Sequence, residues 1–359
     1  MTTASSDAAA AVPVYAGSLT LSKTLTLALR NKYAACLNRM PDACFLPIRK
    51  AYVEAPEGSA RQRLFHNLLK CLRYKHPDRG LESFALADEP SIRFANVNSI
   101  VARHLYWFGF RGWEGAEVRA WQCFCARATR ILEIGANIGV YTVCGAWKAP
   151  HAEYTAVEPH PHTARVLRRN LALNGLLRVN VIEAAVVGRK TGDRMPLVVP
   201  LADEDDAPPG SFLQSGGELS AAGRIACDVP VADIHDLLPG VELLKLDVEG
   251  YEFEILNPVR DYLVRERPTI FVEVLTTARK LQHFIADLAR CGAYRIYAVN
   301  TTLGEVAPED VARGKLGSKY RTRDVLLFRA DQPLPLHDLR DAARSASAGW
   351  VGGSRIHRT

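Results

Sequence analysis

None of the eight cysteines in this 359-residue sequence forms a Cys-x-x-Cys pair, and none stands at a zinc-ligand spacing from a histidine. That absence excludes a disulfide scaffold and a structural zinc module. It leaves the thiols to be read as reduced and mostly packed, as in a cytosolic protein. A long hydrophobic run is missing too. The most apolar stretch, 131–147, is shorter than a bilayer span and contains Glu133 and Asn137, which hydrocarbon would not tolerate unpaired. Residues 1–16 hold no basic residue and no sustained apolar run, so we read no secretory signal there and expect a cytoplasmic protein with no membrane partner. Aromatic residues make up 8%, charged residues 23% and hydrophobic residues 48%. This balance excludes a largely disordered or collagen-like chain. No internal repeat is present. The length exceeds the roughly 250–300 residues at which one core stops growing, so a principal domain with a sizeable extra region is expected.

The net charge of +6 is unevenly spread: residues 1–130 carry a basic excess and the remainder is slightly acidic. The texture changes at the same place. Before residue 130 the pattern is helical, with three- and four-residue apolar spacing over 21–40 and 62–72 and prolines as punctuation. From Ile131 short Val- and Ile-rich runs predict strands at 130–135, 154–158, 180–187, 243–248, 269–274, 295–299 and 325–328. Helical patterns lie between several of them, at 162–173, 251–263 and 277–291. Strand, helix, strand repetition predicts parallel pairing in an open α/β sheet. Residues 201–223 break the rhythm with an acidic run, two prolines and several glycines; such a loop is either a substrate lid or a solvated insertion.

Two segments carry chemistry. In Arg130-Ile-Leu-Glu-Ile-Gly-Ala-Asn-Ile-Gly-Val-Tyr-Thr142 a buried strand runs into a turn with Gly135 and Gly139, and a helix follows. Glycine there brings backbone amides close to a ligand at the carboxyl end of the strand. Glu158 ends the second strand, placed to accept both hydroxyls of a ribose. A nicotinamide dinucleotide and S-adenosylmethionine compete for this pattern. The dinucleotide fingerprint has a third glycine beneath the pyrophosphate, whereas this turn has one glycine fewer and an acid, Glu133, just before it. Negative charge suits a sulfonium ligand bearing an ammonium, so the methyl donor is favoured. The second segment, Glu242-Leu-Leu-Lys-Leu-Asp-Val-Glu-Gly-Tyr-Glu252, reads as a central strand ending in Asp247 and Glu249 beside the first turn. Paired acids at a strand end repel and cost stability unless used.

These segments, with Val-Glu-Pro at 157–159 and with Asn170 and Asn174 in the next helix, resemble the FkbM family of S-adenosylmethionine-dependent methyltransferases over roughly 131–274. The resemblance implies a class I methyltransferase fold, an α/β Rossmann-like seven-stranded sheet, here with a helical N-terminal cap. It also implies O-methylation of a small molecule such as a sugar, a macrolide or another natural product. By motif, Glu133, Gly135, Asn137, Gly139, Tyr141 and Thr142 would surround the methionine part of the donor and Glu158 its ribose. Glu183, Ala184 and Ala185 would flank the adenine. One departure stands out: where the family has a Leu-Asp-Asp-like segment, this chain has Ile234-His235-Asp236. The chain then divides into a flexible tail (1–16), a mostly helical cap serving substrate or a dimer contact (17–125), the donor-binding domain (126–335) and a partly disordered tail (336–359).

Methyl transfer is an in-line displacement, so an acceptor oxygen must be aligned and lose its proton. Asp247, Glu249 and Glu273 are the available bases, and Lys245 could orient one of them or pair only structurally. His151, His160 and His162 are read as solvent-facing rather than metal ligands; Asp247 and Glu249 could instead hold Mg2+ that binds a diol. Ahead of the domain, Arg61, Arg63, Lys70, Arg73, Lys75 and Arg79 form a basic run, and aromatic residues gather over 106–124. A solvated face and a helix packed on the sheet explain them. A cap for an anionic or planar acceptor, a dimer contact and nucleic acid are the sharper readings, and no RNA-binding motif supports the last. The rival functions are methylation of a nucleotide or RNA ribose, and donor binding without turnover.

Overall fold

The computed structural model describes residue 32 and residues 34–56, 58–70, 72, 75–78, 80–200, 212–213, 224–300 and 303–335. The expected tails, 1–16 and 336–359, lie outside the described residues. So does the expected lid, 201–223, apart from 212–213. Residues 1–41 are a unit by themselves, helical over 34–38, and from Asp42 onward the chain is one compact unit.

That unit opens with helices α1 (Leu46–Glu54) and α2 (Ala60–Leu69). Ser59 starts α2 by accepting the Gln62 N–H at 3.0 Å, the usual answer to the unpaired amides of a first turn. A short hairpin that periodicity does not announce, β1 (Ser83–Ala85) with β2 (Arg93–Ala95), precedes α3 (Ile100–Phe108) and α4 (Gly115–Cys125). The chain then alternates through β3 (Arg130–Ile134), α5 (Val140–Lys148), β4 (Glu153–Val157), α6 (Pro161–Leu173) and β5 (Asn180–Ile182).

The expected strand over 180–187 breaks at Glu183 and Ala184, because β6 (Ala185–Val187) leaves the main sheet to pair with β9 (Arg224–Asp233). β7 (Arg194–Pro200), β8 (Phe212–Leu213) and β9 complete that second sheet. Pro200 faces Arg224 in it, so the 201–223 segment joins two paired strands. After α7 (Ile234–Leu237) come β10 (Leu243–Leu246), α8 (Glu252–Leu256) and α9 (Arg260–Glu266). The single helix expected over 251–263 is interrupted by a tight turn at Asn257–Val259, where Pro258 supplies no N–H. β11 (Thr269–Glu273), α10 (Arg279–Arg290), β12 (Tyr294–Val299), β13 (Leu303–Val306), α11 (Pro308–Ala312) and β14 (Asp324–Arg329) follow.

The main sheet runs β13-β12-β14-β11-β10-β3-β4-β5. Five neighbours, β11 to β5, are parallel as expected, but β14 is antiparallel to both β11 and β12. The sheet has eight strands rather than seven, since β13 folds back on the edge of β12. β10 is buried along its whole length between β3 and β11, which is why its sequence, Lys245 apart, is apolar without alternation. One face of the sheet packs Leu132, Leu244 and Ile270 under α9 and α10, each such side chain contributing about 1.5–3 kcal/mol on burial. The other carries Trp121 and Phe124 of α4, edge-on to Phe271 at 5.3 and 5.5 Å. Strand order reverses between β3 and β10, the crevice where open α/β sheets take ligands. No helix among the described residues is long and apolar enough to cross a membrane.

Candidate active site

A cavity opens at that crevice, over the carboxyl ends of β3, β4, β10 and β11. The turn after β3 brings Gly135 and Asn137 to it. Gly135 has φ +86°, and a Cβ there would lie 1.8 Å from the Asp247 carbonyl oxygen. Gly139 has φ +89°, and its Cβ would meet Leu167 of α6 at 2.3 Å. Both glycines are therefore required by neighbouring chain, one by the end of β10 and one by a packed helix. Gly135 lines the cavity and Gly139 does not.

Glu158 does. Its side chain is 6% exposed, and its two oxygens each accept one backbone N–H at 2.9 Å, from Asn137 and from His160. Burial pushes its carboxyl up to about 7 in spite of those two donors. Tyr141, Ala184 and Ala185 line the cavity with it. Glu183 instead turns outward to Arg168 at 3.0 Å. Glu133 and Thr142 also stand apart from the cavity: Glu133 lies 1% exposed beneath it, accepting the hydroxyls of Thr142 at 2.8 Å and of Tyr154. Burial raises the Glu133 carboxyl to about 7, against the pull of Lys245 on the next strand.

Lys245, Asp247, Glu249 and Glu273 are brought together on the cavity wall. Lys245 Nζ donates to Asp247 Oδ2 at 2.8 Å and lies 4.1 Å from the centre of the Tyr141 ring. The neighbouring acids hold its ammonium above the ordinary lysine range although burial opposes them. Glu249 has a left-handed backbone, φ 54°, and Glu252 Oε1 pins that turn by accepting the N–H groups of Val248 and Gly250 at 3.1 Å each. Glu273 is pushed up to about 8 by burial and then by Asp247 and Glu249, with Arg323 opposing from 3.6 Å.

Other cavity residues escape the motif reading. Trp113 and Glu114 come from the turn before α4, and Asp324 begins β14. Glu114 accepts the Tyr141 hydroxyl at 2.9 Å, and Asp324 pairs in register with Glu273. A lone acid in a loop carries no periodic signal, and the antiparallel placement of β14 is invisible without the topology.

The remaining candidates resolve as packing. His160 starts α6, its ring 2.8 Å from Thr163 Oγ1. His235 lies against Asp233 at 2.7 Å, away from the cavity. No group of three His, Cys, Asp or Glu among the described residues is placed to hold a metal ion. Asn170 and Asn174 fasten β2 to α6: their Oδ1 atoms accept the N–H groups of Ala95 and Arg93 at 2.7 and 2.9 Å. Lys75 is no member of a basic face, being 1% exposed and 2.7 Å from Asp42, while Arg73 and Arg79 lie outside the described residues. Of the aromatic run, Trp107, Trp121 and Phe124 are buried and Trp113 alone reaches the cavity. The thiols are less packed than expected: Cys125 and Cys144 are buried, whereas Cys36, Cys44 and Cys291 are exposed.

Comparison with known proteins finds similarity over part of the chain. Residues 133–295 match the methyltransferase FkbM domain. Methyltransferase sdnD of Sordaria araneosa is 30% identical, the match covering 36% of this chain and 60% of that one. The chain thus spans less than two thirds of that relative. Among solved structures, methyltransferase FkbM of Methylobacillus flagellatus is 15% identical over 56% of this chain and 43% of that one, with a TM-score of 0.33. The O-methyltransferase TomG of Streptomyces achromogenes, solved with S-adenosylmethionine, is 12% identical over 60% and 79%, also at 0.33. The chain's likeness to the methyltransferase FkbM domain thus lies in residues 133–295.

Proposed function

We propose that the chain is an S-adenosylmethionine-dependent O-methyltransferase acting on a hydroxyl of a small molecule, such as a sugar, a macrolide or another natural product. The observation that carries this reading is the Glu158 carboxylate, fixed at the cavity by the Asn137 and His160 N–H groups. Each oxygen takes one backbone donor and keeps acceptor capacity for a hydroxyl, which fits a ribose diol. Ala184, Ala185 and Val186 offer an apolar wall beside it for an adenine.

When bound, S-adenosylmethionine supplies a methyl group on a sulfonium. The chain's part is to orient the acceptor oxygen and take its proton. Asp247, Glu249 and Glu273 present carboxylates along one wall, and Lys245 fixes Asp247 through its 2.8 Å bond. The Tyr141 ring lies against Lys245 and its hydroxyl donates to Glu114, so one residue ahead of the matched region supports this wall. A mass-spectrometric screen over sugar, polyketide, nucleotide and RNA pools tests the reading. A gain of one methylene mass on a small hydroxylated molecule, lost in Asp247→Asn, is expected; methylation confined to RNA would contradict it.

A further inference from the structure

β10, β11 and β14 are adjacent, with Leu246 level with Val272 and Glu273 level with Asp324. Asp247 follows Leu246. Asp247, Glu273 and Asp324 therefore stand in a row, one per strand, at the roughly 4.8 Å spacing of neighbouring strands, and all three line the cavity. Like charges directly opposite one another destabilise a sheet. Glu249, Glu114 and Glu158 line the same cavity, so among the described lining residues six carboxylates share it with one lysine. Lys245 is already committed to Asp247 and to the face of Tyr141. Arg323 reaches Glu273 at 3.6 Å from an exposed position.

Asp324 is answered only at a distance, by the charge of Lys245. Its carboxylate faces the cavity, and no described residue donates a hydrogen bond to it or forms an ion pair with it. An enclosed carboxylate without a partner is costly. The described side chains form no group of three that could hold a metal ion; a proton or an organic cation entering the cavity would relieve the charge. The indole of Trp113 on the same cavity suits such a cation.

We propose that this carboxylate wall makes the site select a positively charged sulfonium nucleoside over the neutral thioether left after transfer, so that the donor is held and the product released. This rests on the S-adenosylmethionine reading above. At an effective dielectric of about 20 and about 6 Å, one unit charge facing one carboxylate corresponds to on the order of 100-fold in an equilibrium constant. Lys245, Arg323 and solvent cancel part of the summed effect, leaving an expected preference of about 10-fold or more.

The preference is also expected to depend on pH. Glu273 is raised to about 8 by burial, facing Asp247 and Glu249 beyond the end of β10, Glu252 from α8, Arg323 just ahead of β14 and Asp324 at its start. Glu158 is raised to about 7 and Asp324 is raised as well, both chiefly by burial. At pH 6 Glu273 and Glu158 hold protons for most of the time and attract a cation weakly. At pH 8.5 they are more ionised, and a bound cation expels the remaining protons.

The test is titration calorimetry of the full chain with S-adenosylmethionine and, separately, S-adenosylhomocysteine, at pH 6 and 8.5 and in two buffers of different ionisation enthalpy. We expect the donor to bind about 10-fold or more tightly than the product at pH 8.5, with net proton release, and the ratio to shrink at pH 6. Asp324→Asn and Glu273→Gln should each narrow the ratio several-fold by weakening the donor, leaving product affinity within about 3-fold. Equal affinities for both ligands at pH 8.5, or a ratio unmoved by either substitution, overturns the proposal while leaving the donor reading intact. Binding of neither ligand overturns both.

Discussion

Lys245 and Asp247 form an ion pair at the end of a fully buried strand, with Nζ 2.8 Å from Oδ2. The strand places both side chains on the face that meets α5, where the Tyr141 ring closes over the ammonium at 4.1 Å. An aliphatic residue at 245 would leave Asp247 beside Glu133 and Glu114 with no cation. Lys245→Met is expected to destabilise the fold by about 2–4 kcal/mol, as breaking a largely buried pair does. Urea unfolding at pH 7.5 measures it. A loss below half a kilocalorie, on the order of a surface pair, would show that the bond adds nothing structural.

Glu133 predicts a pH dependence of stability. Its folded carboxyl sits at about 7, above the ordinary 4.5, because it is buried. The folded state therefore binds that proton more tightly than the unfolded chain. The stabilisation is full below about 4.5 and is lost as pH rises through about 7. Glu133→Gln keeps an acceptor for Thr142 and Tyr154 and removes the titration. Relative to wild type it should gain about 1–3 kcal/mol between pH 5 and 8, with donor affinity nearly unchanged because Glu133 does not line the cavity. Denaturant midpoints at the two pH values, set beside donor titrations, check both halves. A large loss of donor affinity would restore Glu133 to the binding site.

Glu273 makes a kinetic prediction. If it takes the acceptor proton, turnover rises with pH through about 8, where its carboxyl ionises. Glu273→Gln should then lose the rising limb and roughly 10²- to 10⁴-fold in rate. A limb that survives in Glu273→Gln and vanishes in Asp247→Asn moves the base to Asp247.

The two glycines rank differently. A Cβ at Gly135 would collide with the Asp247 backbone carbonyl, whereas one at Gly139 meets the flexible end of Leu167. Both carry positive φ. Gly135→Ala should cost more, about 2–4 kcal/mol against about 1–2 kcal/mol for Gly139→Ala, and should also weaken donor binding by shifting the β10 end. Thermal melts of the two variants decide the order; equal losses would mean that backbone strain alone matters.

Much of the site is legible in the sequence because its parts are local. The strand-turn-helix at 130–142 and the strand end at 243–249 each announce a place on the sheet, and Lys245, Asp247, Glu249 and Glu158 reach one cavity. What is not legible depends on chain direction and distance. Glu183 lies next to Ala184 and yet turns outward to Arg168. Glu133 and Thr142 sit in the strongest motif and serve the layer beneath the cavity. Asp324 and Glu114 come from far along the chain and acquire their meaning only when β14 pairs with β11 and α4 packs on the sheet. The main sheet's two reversed strands, β13 and β14, and the departure of β6 are hidden for the same reason: apolar runs of similar length carry no direction.

The most direct test of the account is equilibrium binding of S-adenosylmethionine to wild type and to Glu158→Ala, with NAD as the control. The account predicts measurable binding of S-adenosylmethionine and none of NAD. It also predicts a loss of about 1–3 kcal/mol of donor affinity in Glu158→Ala, the cost of removing a charged partner from two hydroxyls. Binding of NAD without S-adenosylmethionine, or unchanged donor affinity in Glu158→Ala, would contradict it.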